Sequence, residues 1–207
     1  MTLYVATKNV GKLRELEALF AGTLVGGAAV ALATYDAYED PVEGDTSYAD
    51  NAALKARALR AQLRDAGVVG DVLADDSGLE VLALGGRPGV LTAYYGGPSL
   101  TWSERRRALL DELAGCGGGA DRRARFVCAL HFIGAGGGEA MATGAVEGEI
   151  ALEERGELGF SFDPVFFYPP AGRTFAELRA DAKNRVSHRA VAAAALQEAL
   201  LHIGGGS

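Results

Sequence analysis

The few lysines of this chain lie in short polar motifs, and arginine carries most of the positive charge. The 207 residues include 20 lysines and arginines, of which only Lys8, Lys12, Lys55 and Lys183 are lysines. A lysine ammonium is a compact point charge, whereas an arginine guanidinium is a planar fork. The retained lysines therefore indicate places that need a compact charge, such as a phosphate site. Chance retention is the alternative for any one of them.

The first motif lies between a predicted strand and a predicted helix. It consists of Thr7, Lys8, Asn9, Val10, Gly11 and Lys12. Backbone N–H groups at the start of a helix favour an anion, and a glycine there lets the backbone approach it closely. The pattern GxxxxGK[ST] of a P-loop is absent. A simple capped turn is the alternative to a phosphate site.

A pair of carboxylates, Asp75 and Asp76, precedes Ser77 and Gly78. In an extended segment neighbouring side chains point to opposite sides, so at most one of the two needs to face a ligand. A carboxylate at the end of a strand suits Mg²⁺ and a water molecule, as phosphoryl chemistry requires. A surface turn is the alternative, because Asp, Ser and Gly are turn formers.

An acidic loop and the helix that follows it offer further polar groups. Glu43 is a candidate second carboxylate for the same ion, and Asn51 and Lys55 share one helix face because they are four residues apart. These three side chains could line one wall of a site. A solvated helix face is the competing interpretation.

The start of the last predicted helix is unusually basic, since Lys183, Arg185, His188 and Arg189 cluster there. The dipole of a helix disfavours cations at its N-terminus, so a bound anion or a polar ligand edge would explain the cluster. Solvent screening, with Ser187 as an ordinary N-cap, is the alternative.

An aromatic and polar segment precedes that helix. It contains Phe160, Ser161, Phe162 and Asp163. Phe160 could stack on a nucleotide base while neighbouring polar groups contact the edge of the base. Core packing of both phenylalanines is the alternative.

Composition limits the class of protein. A net charge of −7 argues against broad nucleic-acid binding and against binding to anionic membranes, and no apolar run reaches the roughly 20 residues of a membrane span. The two cysteines form no disulfide framework, and the first residues do not resemble a signal peptide. We therefore expect a cytoplasmic protein.

The chain alternates predicted strands and helices before a predicted hairpin. We expect strands over residues 3–6, 26–33, 71–74, 79–84, 125–133 and 140–152, and helices over 11–20, 47–66, from 101, and over 187–202. This pattern predicts one α/β domain over residues 1–207, with a mixed sheet flanked by helices. Two lobes with a cleft between them would be compatible.

Six segments in this order resemble the inosine triphosphate pyrophosphatase family, also described as dITP/XTP pyrophosphatases. They are TKNVGK, EGDTSYADNAALKA, ADDSGLEV, GGRPGV, GFSFDPVF and KNRVSHR, which together extend from residue 7 to residue 189. The resemblance implies Mg²⁺-dependent hydrolysis of non-standard purine nucleoside triphosphates to the monophosphate and pyrophosphate. It also implies an elongated mixed sheet in two lobes, an active-site cleft between the lobes, and a homodimer.

The same resemblance implies roles for individual residues. Asp76 would be the general base and, with Glu43, a Mg²⁺ ligand; Glu39 and Asp45 are alternatives to Glu43 in the acidic loop. Ser77 would touch the substrate. The triphosphate would be bound by the first motif, chiefly Thr7, Asn9 and Lys12, together with Lys55. Lys8 would face solvent. The purine would be bound by Phe160, Ser161, Phe162, Asp163, Lys183, His188 and Arg189.

The chain departs from the family's usual GFGYDP, because Ser161 and Phe162 replace Gly and Tyr. It departs a second time before Asn51, where Asp50 replaces the family's usual Glu. Two other functions remain open. One is a pyrophosphatase of related fold that acts on modified pyrimidine or other nucleotides. The other is a nucleotide-binding regulatory module without turnover.

Overall fold

The computed structural model describes residues 2–25, 28–117 and 119–203, without the side chains of residues 202 and 203. The helices in these ranges are α1 (Val10–Phe20), α2 (Tyr48–Asp65), α3 (Trp102–Gly115), α4 (Ala180–Lys183) and α5 (His188–Ile203). The strands are β1 (Thr2–Ala6), β2 (Leu24–Val25), β3 (Ala28–Ala29), β4 (Ala31–Ala33), β5 (Asp71–Val81), β6 (Pro88–Gly89), β7 (Arg123–Ile133), β8 (Glu139–Ile150), β9 (Phe166–Tyr168) and β10 (Arg173–Thr174).

Side-chain caps explain where three of the helices begin. The Asn9 side chain accepts from two N–H groups of α1, and the Ser47 hydroxyl accepts from the N–H of Asp50 in α2. Thr101 and Glu104 form a reciprocal capping box at the start of α3. Each cap satisfies backbone donors that have no partner inside the helix. The predicted starts of these helices are confirmed within one residue.

The main sheet is mixed, as predicted. Its strand order is β10-β9-β8-β7-β5-β1-β4, and β6 also pairs with β5. Strand β1 runs parallel to both β4 and β5, whereas β9 runs antiparallel to β8 and β10. The register of β1 and β5 pairs Val5 with Leu73 and Ala6 with Ala74. The end of β1, where the first motif begins, therefore lies beside the Asp75–Asp76 segment of β5.

Two predictions about strands were wrong. The segment 26–33 is not one strand: β2 and β3 pair separately and antiparallel, β4 joins the main sheet, and residues 26 and 27 lie outside the described residues. The segment 75–78 is not a turn, because β5 continues through it. Both Asp75 and Asp76 are buried, and buried cations contact their carboxylates. These contacts let acidic residues continue a strand.

The chain divides into two compact units. The first combines the described residues up to Asp76 with Cys128–Gly144 and the described residues from His188 onward, and the second combines Ser77–Val127 with Ala145–Ser187. A single domain over residues 1–207, with a cleft between two lobes, stays a prediction. Among the described residues, no helix is long and apolar enough to cross a membrane.

Each unit has its own hydrophobic core. In the first unit, Leu3 and Phe20 pack with Leu196 of α5, and Leu59 and Leu63 of α2 pack with Val72. Gly144 of β8 lies so close to the backbone of α5 that a Cβ atom would collide with it. In the second unit, Phe126, Phe166 and Phe175 form an aromatic cluster. These cores fix the strands and helices that carry the candidate site residues.

Candidate active site

The two carboxylates of β5 point to opposite sides of the strand, as the extended conformation predicts. Asp76 contacts Lys55 of α2, with 2.8 Å between Oδ1 and the ammonium nitrogen. Asp75 contacts Lys12 of α1, and its Oδ2 lies 2.9 Å from Nε of Arg189 in α5. Two neighbouring acids therefore have different partners and can have different functions.

Lys55 brings the carboxylates of Asp76 and Glu43 together. Its ammonium lies 2.9 Å from Glu43 Oε2 as well as 2.8 Å from Asp76 Oδ1. Asn51, one turn earlier on the same helix face, donates to Asp76 Oδ2 at 3.4 Å. The predicted wall of Glu43, Asn51 and Lys55 therefore forms around Asp76.

At both Asp76 and Lys55, burial and neighbouring charges shift the pKa in opposite directions. Burial raises the pKa of Asp76 above its usual value, although Lys55 and Lys12 oppose the rise. Burial would lower the pKa of Lys55, but Asp76 and Glu43 outweigh burial and raise it. Asp76 is thus a stronger base than an exposed aspartate, beside a lysine that stays charged.

The carboxylates of Glu43 and Asp76 fit a hard cation. Both converge on one positive charge, the Lys55 ammonium, and both supply the oxygen ligands that Mg²⁺ prefers. Among the described residues no group of three or more His, Cys, Asp or Glu side chains could hold a metal. Mg²⁺ typically uses only one or two carboxylates, together with the phosphates of the substrate.

Of the three candidate carboxylates in the acidic loop, Glu43 is the one that contacts Lys55, and the ion pairs that Lys55 forms with described residues do not include Glu39. The ion pairs that Asp76 and Lys55 form with described residues do not include Asp45. The geometry therefore favours Glu43 as the partner of Asp76.

The first motif begins α1, but some of its N–H groups already have partners. Asn9 Oδ1 accepts from Gly11 N–H at 2.9 Å and from Lys12 N–H at 3.1 Å, and Thr7 Oγ1 accepts from Asn9 N–H at 3.1 Å. An anion that used the same donors would have to displace the Asn9 side chain. The Lys8 side chain is 62% exposed and lies 3.4 Å from Asp40, so it faces solvent as expected.

Asp75 is the centre of a buried ionic network that the sequence did not reveal. It contacts Lys12 and Arg189, and Arg189 also contacts Glu15 of α1. The buried thiol of Cys128 donates to Asp75 Oδ2 at 3.1 Å. Burial alone would raise the pKa of Asp75, but Arg189 and Lys12 hold it well below its usual value.

This network explains part of the basic start of α5. Arg189 is 1% exposed, and its guanidinium is paired with Asp75 and Glu15, so an internal anion balances this cation. His188 is also buried, whereas Arg185 is an exposed partner of Asp181. Glu15 could have been suspected from the sequence only through its spacing of three residues from Lys12 on one helix face.

The remaining predicted residues belong to the second unit. Asp163 is buried, accepts from the backbone N–H of Phe160 at 2.8 Å and pairs with the buried Lys183. The Lys183 ammonium also lies 4.9 Å from the centre of the Phe160 ring and 5.5 Å from that of Phe175. Lys183 thus supports the half-buried Phe160 ring through a cation–π contact.

Phe162 and Ser161, two of the three departures from the family pattern, have different surroundings. Phe162 is fully buried, and its ring packs edge-on against Trp102 at 5.6 Å and Tyr95 at 6.3 Å, which is the core-packing alternative. Ser161 has a φ of 59°, a conformation that favours glycine. Its carbonyl accepts from Arg106 at 2.9 Å. Ser77 is half-buried within β5.

Comparisons with known proteins agree with the resemblance. A model of the Ham1 family matches residues 3–199. A dITP/XTP pyrophosphatase of Geobacillus kaustophilus is 43% identical over 204 residues, covering 99% of this chain and 96% of that protein. One from Thermus thermophilus is 43% identical over 199 residues, covering 96% of this chain and 91% of that protein.

Solved structures give the same result. The Ham1 protein of Staphylococcus aureus has a TM-score of 0.80 and 32% identity, and the match covers 98% of this chain and 100% of that one. A nucleoside-triphosphatase, or dITP/XTP pyrophosphatase, of Mycobacterium abscessus has a TM-score of 0.69 and 35% identity, covering 95% of this chain and 98% of that one. The chain belongs to the Ham1 family.

Proposed function

We propose that this protein is a nucleoside-triphosphate pyrophosphatase that hydrolyses non-standard purine nucleoside triphosphates, dITP, ITP and XTP, to the monophosphate and pyrophosphate. The observation that carries the proposal is the convergence of Asp76 and Glu43 on the Lys55 ammonium. The names of the relatives, dITP/XTP pyrophosphatases, support the choice of substrate.

Asp76 is the proposed general base. Its carboxylate accepts from Lys55 and Asn51, which orient it, and burial raises its pKa toward the range in which it accepts a proton from water. Asp75 is unsuited to this role, because Arg189 and Lys12 hold its pKa well below the usual value. The base is therefore assigned to Asp76 and not to its neighbour.

Glu43 and Asp76 are the proposed Mg²⁺ ligands. When bound, Mg²⁺ would neutralise phosphate charge and lower the pKa of a coordinated water. Lys55 holds the two carboxylates together, and its ammonium has three donors, of which these contacts use two.

Lys12 and Lys55 are the proposed phosphate contacts. The contact of Lys12 with Asp75 uses one of three ammonium donors, and its side chain is 17% exposed. Thr7 and Asn9 would add polar groups beside the phosphates, with the Asn9 side chain moving away from the N–H groups that it caps.

Phe160 is the proposed stacking surface for the purine. Lys183 and Asp163 hold its ring and its backbone N–H. A purine with oxygen at position 6 presents an acceptor there, whereas adenine presents a donor, so donors in the protein would favour the former. We assign Arg189 to the network around Asp75, which leaves His188 or backbone N–H groups as the donors.

Pyrophosphate release from ITP, with and without Mg²⁺, tests the proposal. We expect Mg²⁺-dependent release by the wild type and a loss of about a hundredfold or more in Asp76→Asn, the usual contribution of a general base. Near-wild-type hydrolysis by Asp76→Asn would refute the assignment of the base. No release by the wild type would favour a regulatory module.

A substrate panel tests specificity. Comparison of ITP, dITP, XTP, GTP and modified pyrimidine triphosphates should give the highest kcat/KM for the first three. A preference for pyrimidines would instead support the related pyrophosphatase considered above.

We further propose a cytoplasmic homodimer. Both described cysteines, Cys116 and Cys128, are free thiols, which agrees with a reducing compartment. The dimer is proposed from the resemblance alone. Light scattering at several protein concentrations would test it.

A further inference from the structure

Two side-chain amides of α2 fasten the acidic loop, residues 35–45, to that helix. Asn51 Oδ1 accepts from Gly44 N–H at 2.8 Å, and Asn51 Nδ2 donates to Gly44 O at 3.0 Å. Gln62 Oε1 accepts from Glu39 N–H at 2.9 Å, and Gln62 Nε2 donates to Glu39 O at 2.9 Å. Each side-chain amide thus bonds to both the backbone N–H and the backbone C=O of one loop residue, as a neighbouring strand would. We call each such pair of hydrogen bonds a clamp.

The two amides belong to one face of the helix. Gln62 lies eleven positions after Asn51, which is close to three turns at 3.6 residues per turn. Lys55 lies on the same face, between them. A single rigid helix therefore carries both clamps and the lysine that pairs with Glu43.

Glu43 lies between the clamped residues, four positions after Glu39 and one before Gly44. The loop between them has no helix or strand, and Val42 is 94% exposed, so burial of Val42 does not hold it in place. On the other side of Glu39, Tyr38 is buried and anchors the loop. The position of Glu43 relative to Asp76 therefore depends on both clamps.

We propose that Gln62 is a positioning residue that, with Asn51, sets the position of Glu43 for divalent-cation binding together with Asp76. Gln62 acts through the backbone of Glu39, to which its side-chain amide bonds. This inference rests on the proposed function, because it assumes that Glu43 and Asp76 bind the cation.

Gln62→Ala tests this role, with Gln197→Ala as a matched control. Gln197 is also a half-buried glutamine of the first unit, and its Nε2 donates to Leu19 O at 2.9 Å and to Thr23 Oγ1 at 2.7 Å. Gln197 therefore makes two side-chain hydrogen bonds, as Gln62 does, but both as a donor and to a different segment. Loss of either side-chain amide should lower the free energy of unfolding by a similar amount, but only the loss of Gln62 should change the position of Glu43.

The first measurement is hydrogen exchange of backbone amides in metal-free protein. In Gln62→Ala the Glu39 amide should exchange about tenfold faster or more, because its acceptor is gone. In Gln197→Ala its rate should match the wild type. Equal Glu39 exchange in all three proteins would overturn the proposed clamp.

The second measurement is the Kd for Mn²⁺, determined without nucleotide by calorimetry. Gln62→Ala should raise the Kd about threefold to tenfold, as expected for the loss of one or two net hydrogen bonds, and Gln197→Ala should leave it unchanged. An equal Kd for wild type and Gln62→Ala, an equal rise in both variants, or no binding by the wild type would overturn the proposal. Failure of the proposed function would instead appear as absence of pyrophosphate release from ITP by the wild type.

Discussion

Asp75 and Asp76 are adjacent in β5, yet Asp75 pairs with Lys12 and Arg189 whereas Asp76 pairs with Lys55. The side-chain alternation of the strand separates the two carboxylates, and their surroundings shift their pKa values in opposite directions: cations dominate at Asp75 and burial at Asp76. One acid is thereby suited to hold the structure together and the other to accept a proton.

Isosteric substitutions should separate these two roles. Asp75→Asn should lower the free energy of unfolding by about 3–5 kcal/mol, since it removes the anion of Lys12 and leaves the buried Arg189 with Glu15 alone. Asp76→Asn should cause little or no loss, because burial already disfavours the charged form of Asp76. Urea unfolding at pH 7 measures both values, and an equal loss in the two variants would contradict the assignment.

Acid should remove the stabilisation that Asp75 provides. Its pKa in the folded protein is depressed, so its contribution is fully present above the unfolded-state pKa of about 3.9 and is lost as the pH falls toward the folded value. The difference in unfolding free energy between wild type and Asp75→Asn should therefore shrink below about pH 4. A difference that stays constant down to about pH 2 would be inconsistent with this linkage.

Lys55 should control the acid limb of the pH–rate profile. Asp76 must be ionised to act as a base, so activity falls as the pH drops through its pKa. Lys55 lowers that pKa, and Lys55→Gln should therefore move the acid limb of kcat/KM for ITP to higher pH. Lys8→Gln, at an exposed position, is the control and should leave the limb in place. An unshifted limb in Lys55→Gln would count against Asp76 as the titrating group.

Arginine should not be able to replace Lys12, Lys55 or Lys183. Lys55 lies between two carboxylates, and Lys183 lies between Asp163 and aromatic rings. A larger planar guanidinium should displace these partners and reduce kcat/KM for ITP about tenfold or more at Lys12, Lys55 and Lys183. Lys8→Arg should be tolerated. Equal tolerance of arginine at all four lysine positions would show that Lys12, Lys55 and Lys183 do not need a compact ammonium.

Ser161→Gly should stabilise the protein. Ser161 has a φ of 59°, and relief of this left-handed conformation should outweigh the extra chain entropy of glycine by up to about 1 kcal/mol. Ser103→Gly in α3 is the control and should destabilise by about 0.5–1 kcal/mol, as glycine does within a helix. Thermal unfolding distinguishes the two. A lower midpoint for Ser161→Gly would contradict the strain at this position.

Much of the fold was predictable from local sequence. Asn9, Ser47 and Thr101 mark the first turns of three helices, because a cap acts on N–H groups only two or three residues away. The hairpin of β7 and β8 follows from the glycine-rich turn at 134–138, closed by Gly134 N–H and Gly138 O at 2.7 Å. The segment 75–78 was predicted less well, because turn-forming residues there are held in a strand by distant cations.

The sequence by itself determined the order of the elements and the six motifs, since these depend on neighbours along the chain. Only the tertiary structure decided which cation each carboxylate meets. Arg189 is 114 residues from Asp75 and 174 from Glu15, and their contact requires α1, β5 and α5 to pack together. Such pairings depend on strand register and helix packing, which residue types and spacing do not specify.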